Sequence, residues 1–261
     1  MPSDLPRLLH QMPEGLFFPI FPTSMTSNMH PTSLDLKAIQ LLAPFQAKPF
    51  CVDAADILSQ NSLVNGLVYA VPLFLLWHSA DADQRSLAQR MMLTILIGTM
   101  IGALGSILLQ QCIRRPPPAA NPALASVYAF SFREYFRVHP NPNSFPSDSA
   151  MLYSTVAFGL AAWSHGLSVG LLAWLFIVVA PAKTFVGGHY PTDTLAGVFL
   201  GFLSYRLSDY LMMTSPFLEA LASSQAPALA VALFAWLFEV GNEFRDVRQA
   251  VDGVWHIRRR L

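Results

Sequence analysis

The stretch from Met91 to Leu109 holds no charged residue, and its length is close to the ~20 residues that a helix needs to cross the hydrocarbon core of a bilayer. A soluble domain would have to bury such a helix on every side. Further apolar runs follow the same pattern: Ser62 to Trp77, Ala150 to Trp163, Gly166 to Pro181, and Thr194 to about Met213. With 53% apolar and 12% charged residues over 261 positions, the chain is too apolar for an ordinary soluble domain. The expected fold is therefore an all-α polytopic membrane bundle. Sixteen basic residues balance sixteen acidic ones, which excludes a global field that draws nucleic acid, so any anion site is local. Cys51 and Cys112 have no metal-type spacing and support neither a disulfide nor a zinc site.

Composition divides the chain into four parts. Residues 1–33 form a proline-rich arm that opposes helix, without the basic start and apolar core of a cleaved secretory signal. In residues 34–60, apolar positions recur near helical spacing at Leu34, Leu36, Ile39, Leu41 and Leu42, then at Val52, Ala55, Ile57 and Leu58, interrupted by Pro44, Lys48 and Pro49. That pattern predicts two short amphipathic helices at the membrane interface. Residues 61–213 hold the transmembrane core, and residues 214–261 an apolar segment, Ala226 to Val240, with a basic tail ending Arg258-Arg259-Arg260. Whether 226–240 crosses the bilayer sets the count at five or six spans. Arg206 and Asp209, three apart in the last core span, are spaced to pair on one helical face.

Alternating sides bring the end of the second span, the start of the third and the end of the fourth to one membrane face. Three polar clusters converge there: Arg114-Arg115-Pro116, then Ser144-Phe145-Pro146-Ser147-Asp148-Ser149, then Lys183 through Gly187-Gly188-His189-Tyr190-Pro191-Thr192-Asp193. Cations, hydroxyls, a histidine and a carboxylate at one mouth are the groups needed to bind and attack a phosphate. His189 and Asp193 lie four apart, close to one helical turn, where a hydrogen bond is geometrically easy. Gly187 and Gly188 suit a turn or a close backbone approach to an anion.

In order, polarity and spacing these clusters resemble the type 2 phosphatidic acid phosphatase and vanadium haloperoxidase superfamily, whose motifs are K-x6-R-P, P-S-G-H and S-R-x5-H-x3-D. Arg115-Pro116 matches the end of the first motif, Pro146-Ser147 the start of the second, and Lys183, His189 and Asp193 the third. The resemblance implies that His189 attacks phosphorus to form a phosphohistidine while Asp193 holds the imidazole tautomer. Arg115, Ser147, Lys183 and the Gly188 backbone would bind the phosphoryl oxygens, and neither a metal nor another cofactor is required.

The departures shape the functional expectation. Leu108 stands where the family has lysine, with Gln110 and Gln111 beside it; Lys183 replaces an arginine, Ala182 a serine, and Ser149 the histidine that protonates the leaving group. A serine hydroxyl is no general acid near neutral pH, so His139 or Asp148 is the candidate substitute. A prenyl diphosphate, which leaves as a phosphate needing little protonation, suits the site better than an alkyl monoester. The expected function is a membrane phosphatase for a lipid-linked phosphate or diphosphate; the alternative is a phosphatase-like subunit or scaffold of a membrane assembly that binds an anionic lipid. Multi-pass insertion in a prokaryotic cytoplasmic membrane follows, with membrane lipids and membrane-complex subunits as partners. The resemblance puts the site outside the cytoplasm, whereas Arg114, Arg115, Arg133 and Arg137 would by charge bias face inward.

Overall fold

The computed structural model describes residues 27–60, 62–79, 85–124, 126–128 and 143–223. The arm up to residue 26, His139, the 226–240 segment and the basic tail lie outside the described residues. Among these residues the fold is all-α apart from one two-residue parallel pairing, Ser27–Asn28 (β1) with Ile113–Arg114 (β2).

Two short helices form where the 34–60 pattern predicts them: α1, Ser33–Gln46, and α2, Pro49–Gln60. Thr32 starts α1 with a capping box: its hydroxyl accepts from Asp35 N–H at 3.3 Å, and the Asp35 carboxylate accepts from Thr32 N–H at 2.8 Å. Then come α3, Ser62–Ser79; α4, Arg85–Cys112; α5, Asp148–Leu160; α6, His165–Phe185; α7, Pro191–Thr214; and α8, Pro216–Ser223. Ser147 and Ser164 cap α5 and α6, and Pro191 opens α7 at the position where its missing N–H costs nothing. Inside α6, Leu175–Val179 widen into a π-helical turn just ahead of Pro181, whose ring and missing N–H disfavour the ordinary bond to residue 177.

The helices α4 and α6 are each long and apolar enough to cross a membrane, and Asn65–Leu76 is a shorter apolar helix. Large apolar side chains on their outer faces, Leu104 and Ile177 among them, stay exposed, as do Phe199 and Met213 of α7. The α5 helix, with 13 residues, is about 20 Å long, shorter than a typical hydrocarbon core. Its length reflects its place: all its side chains except Asp148 and Phe158 are buried, so it is wrapped by protein rather than by lipid. The expected pair Arg206–Asp209 forms a loose 3.9 Å contact.

The core is the mutual packing of α4, α5 and α7, with α6 against α5. Tyr69 of α3 stacks on Tyr153 of α5 at 4.2 Å between ring centres and donates to the Leu171 carbonyl of α6 at 2.8 Å. Glycines let α7 approach α5 at backbone distance. A Cβ at Gly197 would lie 2.3 Å from the Ser147 carbonyl oxygen, and one at Gly201 would lie 2.5 Å from the Met151 carbonyl oxygen. Their four-residue spacing is the small-xxx-small pattern that permits close helix contact in membranes. Replacing Gly201 by valine should therefore force α5 and α7 apart at a cost of about 3 kcal/mol. Thermal unfolding in detergent checks this, with a clear drop in midpoint expected for Gly201→Val and none for Gly170→Ala, where a Cβ meets nothing within 4 Å.

Candidate active site

The loop between α6 and α7 is set by helix-end chemistry. The last carbonyls of α6 need donors, and the glycine pair supplies them: Gly188 N–H donates to Lys183 O at 2.9 Å and Gly187 N–H to Thr184 O at 3.1 Å, with Gly187 at φ +79°. This is the Schellman arrangement, and it favours glycine at the left-handed position. The Gly188 N–H, expected to face an anion, is thus directed at its own helix. Gly187 O in turn accepts from Ala119 N–H at 3.0 Å, which ties the loop to the segment after Arg115.

At the start of α7, Asp193 reaches back to accept from Tyr190 N–H at 2.8 Å, and its other oxygen accepts from Arg115. The opposite edge of the same guanidinium donates to Asp35 of α1 at 2.6 Å. Thr192 completes the cluster: its hydroxyl accepts from Arg115 at 2.7 Å and donates to Asp35 at 2.9 Å, and its N–H donates to Asp35 at 3.1 Å. The Tyr190 ring lies 4.1 Å below the guanidinium, a cation–π contact. All three charged side chains are buried, Arg115 at 1% exposure. Such a cluster is stable only because nearly every polar atom is matched; Arg115 Nε is the exception, buried with no hydrogen-bond acceptor. Burial pushes the Asp35 carboxyl up, but hydrogen bonds from Thr32, Thr192 and Arg115 outweigh it and hold the carboxyl below its ordinary range. Burial also raises the Tyr190 and Tyr128 phenols, which keeps both neutral; Tyr128 donates to Thr184 O at 3.2 Å.

The imidazole Nδ1 of His189 lies 2.8 Å from the Ser144 carbonyl oxygen. A carbonyl only accepts, so Nδ1 carries the proton and the lone pair sits on Nε2. The tautomer-holding bond expected from Asp193 is therefore made by a backbone carbonyl. Ser144 is itself fixed by its N–H donating to Arg115 O at 2.8 Å. Ser147 N–H donates to the Asp193 carbonyl at 3.1 Å, while its hydroxyl caps α5. Asp148 turns toward α4, where it accepts from Ser106 and from Gln110 at 3.0 Å. Lys183 Nζ donates to Ser149 Oγ at 2.7 Å. Leu108, at the family's lysine position, is 52% exposed and faces away from this cluster.

The fold thus brings Arg115, Ser147 and Asp193 into one bonded unit through Ser144 and Thr192, hangs His189 on it, and pairs Lys183 with Ser149. His139 lies outside the described residues. Asp35 escaped the sequence reading, and Thr192 stood in the third polar cluster without a role of its own. The Thr32-x-x-Asp35 spacing marks a helix start, yet nothing local to it points to Arg115. Among the described residues no group of three or more His, Cys, Asp or Glu side chains is placed to hold a metal ion. Removing one partner of a buried ion pair leaves a charge uncompensated, at about 3–5 kcal/mol, so Asp35→Ala and Asp35→Asn should both lower the unfolding midpoint in detergent, Asn by less because its amide oxygen still accepts from Thr32 and Arg115. Because the folded carboxyl titrates below its unfolded value, its contribution is complete above about pH 4 and fades as the pH falls through the folded value. Melting scans of wild type and Asp35→Asn should therefore converge on acidification.

Comparison with known proteins bears on these residues directly. Residues 91–216 match the PAP2 superfamily, a span from α4 through α7 that includes every cluster residue except Asp35. Over 68 residues the chain is 34% identical to the Escherichia coli (strain K12) protein named "Putative undecaprenyl-diphosphatase YbjG". The aligned part is 26% of this chain and 34% of that protein, so the chain spans about a third of the length of this curated relative. No solved structure matches. Arg115, Pro146-Ser147, His189 and Asp193 all lie inside the matched span at the motif spacings, so it is this site that carries the similarity to the PAP2 superfamily.

Proposed function

We propose that the protein is a multi-pass membrane phosphatase that hydrolyses a lipid-linked phosphate or diphosphate, with a prenyl diphosphate preferred, through a phosphohistidine on His189. The observation that carries this reading is the bond from His189 Nδ1 to the Ser144 carbonyl at 2.8 Å, which leaves the nucleophilic lone pair on Nε2. The match of residues 91–216 to the PAP2 superfamily and the partial likeness to a protein named for an undecaprenyl diphosphate substrate support the lipid class. In the first step Nε2 bonds to the terminal phosphorus, and the bridging P–O bond breaks with its electron pair on the departing oxygen. Water then attacks the phosphohistidine, the P–N bond breaks back to Nε2, and the water proton leaves with the phosphate product. Lys183 and the unmatched Arg115 N–H are the donors for the phosphoryl oxygens, with Ser147 at the start of α5 beside them. Asp193 acts through Arg115 and the start of α7, holding the frame on which His189 sits.

On this reading α3, α4, α5, α6 and α7 cross a cytoplasmic membrane with α5 inside the bundle, the 226–240 segment decides between five and six spans, and the site opens at the outer face. A second reading has a specific observation behind it. Arg115 is buried and bridged by two carboxylates, the state of a structural cation, which fits a non-catalytic relative serving as scaffold. The two are separated by purified protein in detergent offered a prenyl diphosphate, phosphatidate and a chromogenic phosphate monoester. Phosphate release from the diphosphate, with an acid-labile, alkali-stable phosphoryl adduct, is expected for wild type, and both should vanish in His189→Ala. No release from any substrate by a protein that melts cooperatively would favour the scaffold.

A further inference from the structure

A groove of about 340 Å³ lies where α1, α6 and α7 meet. Ala38 and Leu42 of α1 form one wall, Phe176 and Ala180 of α6 the second, and Thr194 and Leu195 of α7 the third. Among the described residues that line it, only Thr184 and Thr194 carry a polar side chain, so water held there would find few partners. Its rim is exposed and apolar: Leu41 at 74%, Phe176 at 42% and Leu195 at 50%. Ile177 and Phe199 carry that apolar surface on along α6 and α7. With α6 crossing the membrane as proposed above, the groove opens where hydrocarbon is the solvent.

Two features aim this groove at the candidate site. Phe176 and Thr184 are eight residues apart on α6, so the groove runs about 12 Å along that helix, from the widened turn Leu175–Val179 toward the loop that carries His189. Thr184 in the last turn of α6 and Pro191 at the start of α7 flank that loop, and both line the groove. The α1 wall is held by charge. Asp35, three residues before Ala38, fixes α1 to Arg115 and to the Thr192 N–H. That wall lies outside the span 91–216 matched to the superfamily, so it belongs to this chain's own N-terminal segment.

We propose that the groove is the subsite for the hydrocarbon chain of a prenyl diphosphate, with α1 as its cover. The inference takes its substrate class from the phosphatase reading above. At about 30 Å³ for a methylene-sized group, the liquid share of a water, the groove holds roughly ten carbons. That is room for one chain lying along α6 with its polar end toward the loop, and not for the paired chains of a phosphatidate.

The test uses the full chain in phosphatidylcholine nanodiscs. A farnesyl diphosphate analogue with a diazirine at the far end of its chain should, on irradiation, label residues within 38–42, 176–184 or 191–195, and unlabelled farnesyl diphosphate should displace it. A phosphatidylcholine with a diazirine in its acyl chain is the comparison. Labelling of the same residues by that lipid, undiminished by farnesyl diphosphate, would mean that bilayer lipid fills the groove and would overturn the proposal, as would prenyl label found only elsewhere. Filling the groove with Ala180→Phe should lower the ratio of kcat/KM for farnesyl over isopentenyl diphosphate by at least about 10-fold, chiefly through KM, and weaken the photolabelling. Leu104→Phe, on the exposed face of α4, should leave that ratio as in wild type. An unchanged ratio in an Ala180→Phe protein that melts cooperatively would overturn the proposal, and if that variant fails to fold, the wild-type labelling decides. Photolabelling of His189→Ala, expected to match wild type, judges the groove apart from the chemistry. A wild type that releases no phosphate therefore sinks the hydrolytic reading alone, while the position of the label still decides the subsite.

Discussion

A guanidinium buried to 1% exposure must find partners, because arginine does not shed its charge. Arg115 finds them on two helices from opposite ends of the chain: Asp35 of α1 and Asp193 of α7. Much of the rest hangs from this junction. The Arg115 carbonyl holds Ser144, the Ser144 carbonyl holds His189, and Tyr190 and Thr192 close the cluster from below and beside. A short amphipathic helix that composition alone would leave floating at the interface becomes, through one carboxylate, a structural part of the site. Desolvating three charges is costly, and the dense set of hydrogen bonds to Asp35 is what offsets it.

Close packing gives that junction its position. Gly197 and Gly201 let α7 lie on α5 with no side chain between the backbones, so Ser147 at the start of α5 reaches the Asp193 carbonyl at the start of α7. The start of α7 already meets carboxylate there, since Thr192 N–H donates to Asp35, which suits the partial positive charge of a helix N-terminus. Apolar length governs which helices face lipid, but small residues govern which helices touch.

Departures from a family pattern read one at a time look like decay. Lys183 and Ser149 are losses in sequence and a bonded pair in space; Leu108 is turned outward while Gln110 engages Asp148. The polar groups have been rearranged into mutually satisfied contacts, as buried polar groups must be. This also explains why Asp148, a candidate substitute acid by sequence, is oriented toward α4 by Ser106 and Gln110.

Much was determined by the residues alone. Apolar runs define the helices because lipid or a core must accept them, capping residues and prolines mark their starts, and an alternation of sides was the reason to expect the three polar clusters on one face. The spacing from Lys183 to His189 to Asp193 carries the resemblance to the superfamily. Tertiary structure decided the partners. Asp35 meets Arg115 across eighty positions of sequence, a pairing invisible to any local pattern; the His189 tautomer is set by a carbonyl that belongs to every residue type and so leaves no signature at Ser144. Whether Gly188 faces an anion or its own helix, and whether Lys183 meets phosphate alone or with Ser149, depended on which groups the packing of α5, α6 and α7 left within 3 Å of one another.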